Sequence, residues 1–147
     1  MSIDLIYPGR DTAALVKDLD DVWIVSGPIR ACIHLANVWH LKEPGALTKI
    51  KDTGGKGAVH YRLNEVNIFG PNELDHPMTQ WAALNASNYA GLMFYAEDMC
   101  EEYKRRFPHV TKHGISAMLS ALETMPECVP EEEWTPPAFA TNVEFVS

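Results

Sequence analysis

No stretch of the 147 residues approaches the ~18 uninterrupted apolar side chains that a membrane-crossing helix requires, so no spanning helix and no membrane partner are expected. Cysteine is sparse. Cys32, Cys100 and Cys128 are an odd number at wide spacings, which fits reduced thiols in a cytosol rather than a disulfide framework. Basic residues are the scarcer charge, 12 against 20 acidic, and the net −8 gives the chain as a whole no attraction to phosphate or anionic lipid. Met1-Ser2-Ile3-Asp4 has neither the basic opening nor the apolar run of a secretion signal, so a cytoplasmic location is expected. A composition of 46% hydrophobic and 22% charged excludes disordered, collagen-like and low-complexity chains. The length suits one domain, residues 1–147, around one core.

Patterning within that domain is mainly helical. Asp11 or Thr12 can cap a helix to Leu19, where Asp18, Asp20 and Asp21 oppose the helix dipole and should end it. Ser26-Gly27-Pro28 marks the next helix start, and Ile29, Cys32, Ile33, Leu35, Ala36 and Trp39 recur at three and four up to about Leu41. Residues 42–75 read as an irregular insertion, with a glycine-rich loop over 51–57 and a short strand, Val59 to Leu63, in one small hairpin. From Pro77 to Phe107 the spacing predicts a single amphipathic helix of about 30 residues, bent near Gly91 and closed by Pro108. A shorter helix follows over about 113–123. Residues 124–147, rich in proline and glutamate, form an extended acidic arm that wraps the body through Trp134 and Phe139. The predicted architecture is a compact bundle of about four helices around one long central helix.

Three constellations bear on chemistry. His109 and His113 share a helical spacing, but no third ligand stands at motif distance, so no metal site and no cofactor are expected. Gly54-Gly55-Lys56-Gly57 lacks the spacing of a nucleotide-triphosphate loop, yet Lys42, Lys49, Lys51, Lys56 and Arg62 concentrate positive charge on an acidic protein. Such a strip can position nucleic acid or a nucleotide, with Lys56 and Arg62 as candidate ligand-binding residues. Along the long helix, Trp81, Asn85, Asn88, Leu92, Tyr95, Met99, Glu102 and Arg106 follow each other at steps of four and three. A buried amide must find partners or cost a few kcal/mol. Two readings follow: a polar network that fixes register, or a pocket wall in which Trp81, Asn85, Asn88, Tyr95 and Arg106 meet a ligand. His76, just before the helix, is a candidate cap or site histidine, expected neutral near a helix N-terminus.

His76-Pro77-x-x-x-Trp81, Ser87-Asn88-Tyr89, Glu102-Tyr103-x-x-Arg106 and Thr135-Pro136-Pro137 together resemble a pattern of small helical proteins of bacteriophages and large DNA viruses, over about residues 10–140. Helix order also shows a distant similarity to phage pyrimidine-dimer DNA glycosylases, whose N-terminal amine forms a Schiff base at the damaged nucleotide. The resemblance implies Ser2, once Met1 is removed, as that amine; from the residues themselves, His76 and Glu102 are further catalytic candidates. The histidine and glutamate positions of those enzymes hold Trp23 and Arg30 here, and an arginine cannot serve as the carboxylate. The expectation is therefore a phage-type nucleic-acid or nucleotide-binding protein of DNA metabolism without lyase chemistry, in the host cytoplasm if viral. The alternatives are a DNA base-processing or base-modifying enzyme, and an acidic interaction module or DNA mimic acting on a host protein through Glu131-Glu132-Glu133.

Overall fold

The computed structural model describes residues 16, 17, 19–51, 59–109 and 114–135. Four α-helices stand among them: α1 (Asp21–Lys42), α2 (Pro77–Leu84), α3 (Ala86–Arg106) and α4 (Ser116–Leu122). A 3-10 turn, Pro44–Ala46, leads from α1 into an antiparallel meander of β1 (Thr48–Lys51), β2 (Val59–Leu63) and β3 (Val66–Ile68). The chain is mainly helical and compact, as its patterning predicts. The helix expected before Leu19 lies almost wholly outside the described residues, as does Phe139 of the arm.

α1 begins earlier than expected. Asp20 Oδ1 accepts from Trp23 N at 3.0 Å, so the aspartate read as a helix end is the cap of the next helix. Gly27 and Pro28 then lie inside α1 and are buried. The glycine leaves room for a side chain: a Cβ on Gly27 would meet Met99 Sδ, so its absence lets that methionine lie against α1.

The predicted 30-residue helix is two helices. The break falls at Asn85, which is extended at φ −158° and ψ 167°, and Gly91 lies within α3. Asn85 Oδ1 accepts from Asn88 N at 2.8 Å and caps α3. Gly91 serves the arm instead, because a Cβ there would stand 3.3 Å from the Trp134 ring.

The core lies between α1, α2 and α3, with Ile24, Leu35, Val38, Met78, Tyr89, Leu92 and Met99 fully buried. At the far end of α1, His40 Nε2 donates to Phe69 O at 2.9 Å and its ring meets Tyr61 edge-on at 4.6 Å, tying the meander to the bundle. Asn64 and Glu65 both have positive φ, which gives β2 and β3 the tight turn that suits strand twist. The strand predicted at 59–63 is present with those bounds. β1 and β3 extend the expected hairpin to three strands.

Candidate functional site

Two sets of polar residues compete for the role of site, and their hydrogen bonds separate them. The first lies around the α2–α3 break. Asn88 Oδ1 accepts from Thr135 N at 2.9 Å, and its Nδ2 donates to Trp81 O at 2.9 Å and to Thr135 Oγ1 at 3.0 Å. Asn85 Nδ2 donates to Glu133 O at 3.0 Å, while Ala86 N donates to Pro130 O at 2.7 Å. Trp81 Nε1 donates to Thr135 O at 2.7 Å, and the Trp134 ring meets Trp81 edge-on. The partner of these groups is the protein's own arm up to Thr135, which wraps the body through Trp134. Both amides are buried, and their oxygen and nitrogen atoms are all engaged. This is the register-fixing network, not a wall with bonds to spare.

Glu102 and Arg106 are also committed. Arg106 Nε donates to Glu102 Oε2 at 2.7 Å, Arg105 Nε to Oε1 at 3.0 Å, and Arg105 Nη2 to Oε2 as well. Arg106 Nη1 reaches Asp21 Oδ1 at 3.0 Å and Nη2 the carbonyls of Val16 and Lys17, which pins α3 to the start of α1. The arginines, against the opposing cost of burial, hold the Glu102 carboxyl at about 2. A carboxylate that is ionised so firmly is a poor base, and its place is that of an anchor.

His76 is the cap of α2: its Nδ1 accepts from Met78 N at 3.0 Å, which requires that nitrogen to be unprotonated. Its ring lies 4.7 Å from that of His34, a buried residue that the patterning treated as ordinary helix. His34 Nδ1 stands 2.9 Å from Thr79 Oγ1, which also accepts from Asn37 Nδ2 at 3.1 Å. Asn37 also exchanges bonds with the backbone of Asn72, at 2.7 and 3.1 Å. His34 and Asn37, three apart on a buried face that also carries Arg30, are the signal in the sequence for this network. Tyr95 is fully buried with its hydroxyl unbonded, and burial pushes its pKa up. Ser2, Lys56 and His113 lie outside the described residues, and these hold no group of three potential metal ligands.

The second set is the meander. Cross-strand pairing puts Thr48, Arg62 and Asn67 in one row, with Ile50 and His60 in the next, on the face turned to solvent. The other face carries Tyr61, Leu63 and Ile68 into the core, and Lys49 and Lys51 continue that face along the β1 edge, where both are exposed. The cations thus straddle the ribbon rather than forming one strip. Arg62 Nε donates to Asn67 Oδ1 at 3.1 Å, which steadies the guanidinium across the strands. Among the described residues, Lys49, Lys51 and Arg62 form no ion pair. Residues 42–62 hold five of the 12 basic residues and two of the 20 acidic ones.

Comparison with family models, with characterised proteins and with solved structures finds no match to this chain. No helix among the described residues is long and apolar enough to cross a membrane.

Proposed function

We propose that the protein binds nucleic acid along its phosphate backbone, through the β1–β2 ribbon. The observation that carries this reading is the set Lys49, Lys51 and Arg62, exposed and without ion pairs among the described residues, on a chain whose remaining charge is strongly acidic. At physiological salt the screening length is about 8 Å, so a phosphate at the ribbon feels the nearby cations more than the distant carboxylates. Asn67 orients Arg62, and His60 lies beside it on the solvent face. The ribbon's cations offer charge without a base-reading element, so the binding is to backbone rather than sequence.

Binding without lyase chemistry is the form favoured. Arg30, at the position where a glycosylase would hold its glutamate, lies with Cζ 4.7 Å over the Trp23 ring and offers no carboxylate. Glu102 is spent on two arginines.

Fluorescence-anisotropy titration with labelled single- and double-stranded DNA at low salt tests the reading. Binding should weaken as salt rises, and neutralising Lys49 and Arg62 together should lower the slope of log K against log salt by about two. No binding to either DNA overturns it. Borohydride trapping on abasic DNA tests the base-processing alternative, and a trapped adduct lost on N-terminal extension would establish Ser2 chemistry instead.

A further inference from the structure

On the flank of α3 that bears Ala90, Met93, Phe94 and Glu97, the end of α4 leaves a recess of about 350 Å3, closed on its other side by Glu123 and Met125. Phe94 is 59% exposed although it sits in the middle of a long helix. Leaving such a ring in water forfeits the free energy of its burial, which a partner covering it would recover. Ala90, Met93 and Met125 make the rest of the surface apolar, and methionine adapts its shape to what it meets.

The end of the recess is acidic. Glu97 and Glu123 both line it and lie close enough to interact, and Asp98 adds a third carboxylate nearby. Burial first, then Glu123, then Asp98, push the Glu97 carboxyl up to about 7. No basic residue lines the recess, so the two carboxyls meet without a cation between them.

We propose that this recess docks a segment of a partner protein that presents an aliphatic or aromatic side chain beside a lysine or arginine. The apolar side chain covers Phe94 between Met93 and Met125, and the cation enters between Glu97 and Glu123. Charge complementarity selects the occupant: acidic segments and nucleic acid are repelled here, and a neutral apolar segment leaves the carboxyls pressed together. None of these residues belongs to the ribbon proposed to bind nucleic acid, so the two readings stand or fall separately.

The probe is a fluorescein-labelled, twelve-residue helical peptide of leucine and lysine, titrated against the full chain by anisotropy. Its counterpart with glutamate in place of lysine is the control. The lysine peptide should bind and the glutamate peptide should not. Phe94→Ala, and separately Glu97→Gln with Glu123→Gln, should each weaken binding about tenfold or more, with the helical signal in circular dichroism unchanged. Replacing Glu131, Glu132 and Glu133 with glutamine should leave it within about twofold, which separates the recess from general acidity. Absence of binding, equal binding of the glutamate peptide, indifference to Phe94→Ala, or a comparable loss from the arm variant would each overturn the proposal. So would a concentration-dependent dimer abolished by Phe94→Ala, or a nuclear Overhauser contact from the Phe94 ring to residues 136–147, since the occupant would then be a second copy or the chain's own tail.

Discussion

The α2–α3 break and the β1–β2 ribbon both display polar residues, and they differ in what those residues have left to give. At the break, Asn85 and Asn88 sit among aromatic and aliphatic neighbours, and every bond they offer goes to the protein's own backbone or to Thr135. On the ribbon, Lys49, Lys51 and Arg62 are exposed and in no ion pair among the described residues. A polar residue in an apolar pattern marks a place that needs partners. Whether those partners are internal or external decides between scaffold and site.

The contrast can be broken most forcefully at Asn88. Asn88→Ala removes three hydrogen bonds and leaves Thr135 N and Trp81 O short of a partner in a buried place, so urea unfolding should show a loss of about 3 kcal/mol. A loss under about 0.5 kcal/mol would mean that the arm is not held there and that the amide is available to a ligand.

Glu102→Gln comes next, at about 2 kcal/mol, because it leaves the largely buried Arg106 with only Asp21 as an ionic partner. The sign with pH is definite. A carboxyl held below its ordinary value stabilises the fold in full above about 4.5 and loses that contribution as pH falls toward about 2. The stability gap between wild type and Glu102→Gln should therefore close across that window in acid titrations followed by unfolding.

Charge reversal on the ribbon should do the opposite of both. Lys49→Glu with Arg62→Glu should move the unfolding midpoint hardly at all, since both side chains are solvated, yet weaken DNA binding tenfold or more, roughly 1.4 kcal/mol. The smallest effect concerns His40. Burial lowers its pKa, against the opposing pull of the Phe69 carbonyl, so the neutral ring is the one the fold prefers. Stability should rise with pH up to the ordinary histidine value of 6.5 and level off above it, with the His40 resonances titrating below that value in NMR.

Much of this organisation was legible beforehand, for identifiable reasons. Val59–Leu63 announces itself by strand alternation between turn residues, and the arm by its prolines and by Trp134, an aromatic that needs cover. The break at Asn85 did not announce itself, because the apolar period of α2 runs on into α3 almost in phase; only the asparagine three residues before Asn88 hinted at a cap. Pro28 misled in the same way: proline usually opens a helix, but Asp20 caps α1 two turns earlier. The sequence leaves both readings of the amides open, network or pocket wall, because their partner, Thr135, lies 47 residues from Asn88, and no local pattern reveals such a pairing. The ribbon cations were visible as composition. Their division between two faces came only with the cross-strand register.

The most direct test of the account is an amide NMR map of the labelled protein titrated with a short oligothymidylate at low salt. Shifts should concentrate at Thr48–Lys51, His60–Arg62 and Asn67, with Trp81, Asn85 and Asn88 still. Shifts centred on Trp81, Asn85 and Asn88, with the ribbon silent, would contradict it.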